Sequence, residues 1–235
     1  MHRKGFERRM HRFVNSNAYT VSRHDDIEAG KRLWIVHVNK PAPLIRWGAL
    51  IGDCLFNFRS ALDQLAFDLA VANRKGQLTE KEKMDSEFPI FHRRAPTKRD
   101  LDRKIGAVHP KARKLIEGMQ PYGRKDRAAL KYLDLLHNFD KHRTLHLVVG
   151  TSIAVSYVGD MDFEFINLRP FKHGDVLARV PLASDPKRNQ DPSFGFAVAF
   201  SETGPGAAAP DVTTTLSWIG QHIEKGVIPD LLPYL

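Results

Sequence analysis

The chain has 235 residues, 42% of them hydrophobic and 27% charged, with a formal net charge of +9 and one cysteine. That length and apolar fraction supply a core for one or two domains and exclude a disordered chain, while a lone Cys54 excludes an internal disulfide framework and any multi-cysteine zinc site. The opening residues are basic without an apolar core, and no later run reaches about 18 apolar residues, so neither a secretory leader nor a membrane span is expected and the protein is placed in the cytoplasm.

In chain order, Phe6, Met10, Phe13 and Val14 recur at helical spacing and predict a short amphipathic helix. Tyr19 to Ile27 and Arg32 to Asn39 are rich in β-branched and aromatic residues, and the intervening Glu28, Ala29, Gly30 and Lys31 make them a β-hairpin. After Pro41 and Pro43, Leu44 to Asn73 is apolar on most sides, which predicts a long, largely buried central helix of about 45 Å. Asn73 to Ser86 reads as a loop, and Phe88-Pro89-Ile90-Phe91 as an extended segment docking on the core. Two basic helices follow, one capped by Thr97 with Asp100 at N3, the other starting at Pro110 and ending at Gln120-Pro121-Tyr122-Gly123.

From Asp126 to about Arg143, Leu130, Leu133, Leu136 and Phe139 define a second core helix. Beyond His146 the period becomes that of strands, with 147–158, 162–168, 176–181 and 194–201 as candidates joined by turns into an antiparallel meander. A last helix runs from about Thr214 to Gly226 behind a cap at Asp211 or Thr213. The expected architecture is one α+β domain over 1–235: a helical core at about 44–145, a C-terminal antiparallel sheet at about 146–202 joined by the N-terminal hairpin, and a covering helix at about 213–226.

Charge is distributed unevenly. Met1 to Arg143 holds 30 Lys and Arg against 17 Asp and Glu, whereas Thr144 to the end holds 6 against 10. Arg93 to Arg127 alone carries 12 basic and 4 acidic residues. Such a field attracts polyanions through counterion release and needs no sequence readout; the plainer alternative is a set of solvated helix faces.

Two polar runs interrupt the two most apolar helices, where polar groups are tolerated only when partnered. In the first, Asp53, Asn57, Ser60 and Gln64 share one face, and Arg59 and Asp63 form an i, i+4 pair on another. In the second, Asp134, Asn138 and His142 share a face, with Asp140, Lys141 and Arg143 beside them. Antiparallel packing would bring carboxylates and an amide against an imidazole and cations, an inventory sufficient for acid–base chemistry. The same residues equally make structural ion pairs: Arg59 with Asp63, or Asp53 with Lys141 or Arg143. His142 and His146 are spaced to share a metal, but no third ligand and no His-Glu-x-x-His pattern accompany them, so no metal is assigned. No phosphate-binding glycine loop, dinucleotide fingerprint or Gly-x-Ser-x-Gly elbow occurs, so no cofactor is assigned, and Cys54 reads as a buried inert thiol.

The runs Gly52-Asp53-Cys54-Leu55-Phe56-Asn57-Phe58-Arg59-Ser60-Ala61-Leu62-Asp63 and Asn138-Phe139-Asp140-Lys141-His142-Arg143 resemble an uncharacterised bacterial protein family with a Gly-Asp-x-Leu-x-Asn-x-Arg-Ser-Ala-Leu-Asp helix followed by one ending Asn-x-Asp-Lys-His-Arg. Phe88-Pro89-Ile90 and Gln120-Pro121-Tyr122 lie between them, so the resemblance covers roughly 45–145; it implies membership and brings no activity. More distantly the chain resembles HEPN-type helical domains, many of them RNases that pair an Arg-x(4 to 6)-His motif across a dimer. That spacing occurs here at Arg32–His37 and Arg103–His109, no more often than chance places it, and Asn138–His142 is the nearest substitute.

The leading expectation is therefore a cytosolic binding or interaction protein with a basic face at 93–127 directed at RNA or DNA. The alternative is a hydrolase acting on nucleic acid or nucleotides through Asp53, Asn57, Arg59, Asp63, Asn138, Asp140, Lys141 and His142, with His142 as general acid or base and Arg59 or Arg143 as phosphate contact. A third reading is a subunit whose partner, another copy or a different protein, completes the function.

Overall fold

A computed structural model describes residues 2–123, 127–142, 145, 147–152, 164–165, 170–182, 192, 194–201 and 211–235. The chain divides into two compact units, Met1–Gly48 with His146–Thr213, and Ala49–Leu145 with Thr214–Leu235.

In the first unit, helix α1 (His2–Phe13) closes through a wide turn, Val14–Ala18, in which Asn17 takes the left-handed region, φ 55°. Strands β1 (Tyr19–Asp26) and β2 (Lys31–Val38) form the hairpin expected from their alternation, in register from Tyr19 opposite Val38 to Asp26 opposite Lys31. Its turn is closed by Gly30, whose φ of 62° suits glycine, and by Asp26, whose Oδ1 accepts from the Ala29 amide at 2.9 Å.

Four further strands are described: β3 (Leu147–Ser152), β4 (Glu164–Phe165), β5 (Val176–Pro181) and β6 (Gly195–Phe200). They do not form a simple meander. The hairpin extends into a four-stranded sheet of order β1-β2-β5-β4, and β3 pairs with β6 in a second, two-stranded sheet, every pairing antiparallel. Side-chain alternation specifies which face of a strand is buried; it does not specify the partner strand, which is why the pairing departs from sequential order. Residues 153–163, where the first two candidate strands end and begin, lie outside the described residues. Trp34, Ala178 and Val180 make the buried seam between β2 and β5, with Val21 and Phe194 packed on it. Trp47 receives Phe6 and Phe13 edge-on, at centroid distances of 6.2 and 5.2 Å.

The second unit is helical. From Ala49 it contains the bulk of α2 (Leu44–Asn73), then α3 (Glu80–Asp85), α4 (Lys98–Ile105), α5 (Pro110–Gly118), α6 (Ala128–His142) and α7 (Val212–His222), of which all but its first two residues belong here. A π-type turn (Ile223–Val227), α8 (Ile228–Leu231) and a single 3-10 turn finish the chain. Its core repeats every three to four residues: Ile51, Leu55, Leu62, Leu69 from α2, Leu130 and Leu133 from α6, and Leu216, Ile219 and Ile223 from the C-terminal segment are all buried. Helix α3 sits where a loop was expected. Its start is a capping box in which the Thr79 hydroxyl accepts from the Glu82 amide and the Glu82 carboxylate accepts from the Thr79 amide. The same device at Thr97 and Asp100 opens α4, as the spacing predicts. Mixed helix with antiparallel sheets, a hairpin at the start and a helix at the end is the α+β class. Among the described residues no helix is long and apolar enough to cross a membrane.

Candidate functional site

Helices α2 and α6 lie side by side and antiparallel in the second unit. Gly52 meets Asp140 and Phe56 meets the His137 ring at 6.3 Å, so residue numbers rise on one helix as they fall on the other. The close approach depends on Gly52: a Cβ built there would sit 2.6 Å from both carboxylate oxygens of Asp140. Burial, then the charge of Asp53, raises the pKa of Asp140. Asp53 itself is exposed. The first polar run therefore meets the second where Gly52 packs on Asp140, with Asp53 acting on that carboxylate through its charge, and no Asp53–Lys141 pair is found among the described residues.

One turn further along α2, Arg59 and Asp63 make a bidentate pair, with Nη2–Oδ1 at 2.9 Å and Nε–Oδ2 at 3.1 Å. Both then reach the extended segment. Arg59 Nη2 donates to the Phe88 carbonyl at 2.8 Å, and the Phe88 amide donates to Asp63 Oδ1 at 3.0 Å. Gln120 holds the same segment from the end of α5. Its Oε1 accepts from the Phe91 amide, and its Nε2 donates to the Pro89 and Ile116 carbonyls, each at 2.9 Å. Phe88 and Pro89 have no ladder to satisfy their backbone groups, and these three side chains supply the partners that burial demands.

Around this clamp lie residues that the spacing of polar runs did not single out. His92 Nδ1 is 3.2 Å from Asp134, yet burial outweighs that carboxylate and keeps the ring below its ordinary pKa, helped by the Arg93 and Lys131 charges. His137 is buried; burial, then Lys141 and Arg59, lowers its pKa against the opposing pull of Asp134 and Asp63, and its Nε2 has no hydrogen-bond partner. Lys104 pairs with Glu87 and lies 6.0 Å from the centre of the Phe91 ring; burial, then Arg59, depresses its pKa. The available signal for His137 was its neighbour Asn138 in a quoted motif. Lys104 and Glu87 belong to no motif and meet only through the fold.

The other expected residues do not join the cluster. Asn57, Ser60 and Gln64 lie on the exposed face of α2, and Gln64 donates to Asp68 at 2.8 Å. Asn138 and Lys141 are exposed on α6, Lys141 acting on His137 through its charge. The His142 side chain, Arg143 and His146 lie outside the described residues, and with them the paired-histidine metal reading. Among the described residues no group of three or more His, Cys, Asp or Glu is placed to hold a metal ion.

The basic stretch resolves into two kinds of cation. Arg94 pairs with Asp100 at 2.8 Å, Arg113 with Asp102 and Glu117 at 2.6 and 3.0 Å, and Lys104 with Glu87. Arg93, Lys98, Arg99, Arg103, Lys111 and Lys114 are exposed and form no ion pair among the described residues. On α4 Arg99 faces away from buried Leu101 and Ile105, while Lys98, three and seven residues before them, is exposed at the first turn; on α5 Lys111 and Lys114 face away from buried Ala112 and Ile116.

Comparison of the chain with family models, with curated proteins and with solved structures finds no match to it.

Proposed function

We propose that this is a cytosolic nucleic-acid-binding protein that engages the phosphate backbone through the outer faces of α4 and α5. The observation that carries the reading is the set Lys98, Arg99, Lys111 and Lys114: exposed, without ion pairs, and on two consecutive helices of one unit. Cations already matched to carboxylates release few counterions on binding; unpaired ones release most. The stretch from Arg93 to Arg127, with 12 basic against 4 acidic residues, concentrates positive charge locally, which favours a polyanion.

Hydrolysis ranks below binding because Arg59 and Asp63, two of the catalytic candidates, spend hydrogen bonds on the Phe88 backbone. Within this reading the chain is a member of the bacterial family whose helix motifs it carries, distantly HEPN-like, and those motifs encode the α2–α6 contact and the Phe88–Phe91 clamp.

A salt titration of binding to generic single-stranded RNA tests the reading. Four phosphate contacts give a slope of log affinity against log salt of about −3, and replacing Lys98, Arg99, Lys111 and Lys114 together by Ala flattens it. Absence of binding at low salt overturns the proposal.

A further inference from the structure

Between α3 and α4 the second unit holds two adjoining cavities that share Glu82, Asp102 and Arg103. The larger, about 650 Å³, adds Lys81 and Arg99 but also Asp85 and Asp100, so acids there outnumber cations. The smaller, about 290 Å³, has the opposite balance: Arg74, Arg103, Lys104 and Arg113 against Glu82 and Asp102 alone.

The donors of this smaller cavity are not used up by its carboxylates. Arg74 gives Nη2 to Glu82 at 2.8 Å, and Arg113 gives Nη1 to Asp102 and Nε to Glu117. A guanidinium carries five N–H groups, so both keep donors in hand, and Arg103, with no ion pair, keeps all of its own. Lys104 turns its ammonium to Glu87 outside the lining, and Ser86 adds a hydroxyl. Arg74, Arg103 and Arg113 crowd one small space against two carboxylates, and like charges so placed repel one another. A bound dianion relieves it. Arginine forks match tetrahedral oxyanions bidentately. The volume stands at the lower edge of the roughly 300–1,000 Å³ typical of small-molecule sites, suited to a phosphate group with its waters and not to a dinucleotide.

We propose that the cavity of Arg74, Arg103, Lys104 and Arg113 binds a phosphate monoester, with Arg103 as the uncommitted fork that grips it. The pocket follows from its own lining; assigning its ligand as the 5′-terminal phosphate of a bound strand rests on the nucleic-acid reading above.

Calorimetric titration of the full chain with inorganic phosphate, and then with one RNA oligonucleotide bearing either a 5′-phosphate or a 5′-hydroxyl, tests the proposal. Saturable phosphate binding is expected, together with about tenfold tighter binding of the phosphorylated strand, and Arg103→Ala weakens both by about tenfold. Arg103→Lys retains charge without the fork and falls between. Lys111→Ala with Lys114→Ala weakens RNA binding and leaves phosphate binding unchanged. Phosphate binding that is absent, or indifferent to Arg103→Ala in a variant with an unchanged melting temperature, overturns the pocket. Arg103-dependent phosphate binding without a preference between the two strands upholds the pocket and assigns it to free phosphate esters. Loss of RNA binding alone removes the nucleic-acid reading and leaves the pocket standing.

Discussion

Gly52 and Asp140 are fitted to each other: the carboxylate occupies the space that any side chain at position 52 would need. In the middle of a helix Ala is worth about 1 kcal/mol more than Gly, so the expected gain from Gly52→Ala is offset here by displacement of Asp140. Gly52→Ala should therefore be neutral or destabilising in the natural chain and stabilising by about 1 kcal/mol in an Asp140→Ala background. Chemical denaturation of the four members of this cycle measures the coupling. Additive effects would show that the two residues do not share that space.

Asp140 also carries a charge in an unfavourable place. Its folded-state pKa lies above the ordinary 3.8, raised by burial and then by Asp53, so its ionisation opposes folding above the folded pKa and costs nothing below the unfolded one. Asp140→Asn should raise the free energy of unfolding at pH 7 by on the order of 1 kcal/mol or less given its partial exposure, and the difference, read by urea denaturation, should vanish on titration below about pH 4.

Arg59 and Asp63 act as one device on the Phe88 backbone. Arg59→Ala leaves Asp63 without its counter-charge and the Phe88 carbonyl without a donor, and is expected to cost about 3 kcal/mol. Asp63→Ala should cost a similar amount, and the double variant little more than either alone. Urea denaturation reads all three; strict additivity would show that the pair does not hold the segment jointly.

Gln120 needs both ends of its amide. Glu is its nearest isostere and keeps the acceptor for the Phe91 amide, but loses the donor to Pro89 and Ile116. Gln120→Glu should therefore destabilise by about 2–3 kcal/mol, comparably to Gln120→Ala, because it buries unpaired carbonyls beside a new charge. Hydrogen exchange at the Phe91 amide localises the effect: it stays protected in the Glu variant and becomes exposed in the Ala variant.

Three histidines make the fold sensitive to acid. Burial lowers the pKa of His92, His137 and His222, and for His222 the Arg127 charge adds to it. Each is neutral in the native state, so the stability it contributes is complete above about pH 6.5 and is lost as pH falls through the folded-state value. Melting temperatures should drop between pH 7 and pH 5 with more than one proton taken up on unfolding. His137→Leu, which removes the unpartnered Nε2 beside Phe56, should leave stability at pH 8 little changed and raise it at pH 5.5 by on the order of 1 kcal/mol. An unaltered pH profile in that variant would locate the sensitivity elsewhere.

Local signals carried the helices and the hairpin. The Thr97–Asp100 box, Pro110 at a first turn and the apolar stripes of α2 and α6 are interactions within a few residues, each readable where it stands. Helix α3 escaped because its six residues bury nothing, so no stripe advertises it and only the Thr79–Glu82 box does. The clamp was half legible: Arg59 and Asp63 pair at i, i+4, but their second partner lies 25 to 29 residues away and is main chain, which has no sequence signature.

What the sequence alone determined is the class of structure and the uneven charge, because periodicity, capping and composition act locally or by simple summation. Tertiary structure decided which strand lies beside which, that Gly52 receives Asp140, and which cations of the basic stretch are already neutralised. Those outcomes depend on distances between groups far apart along the chain. Electrostatic and packing energies follow such distances, and an order of residues does not contain them.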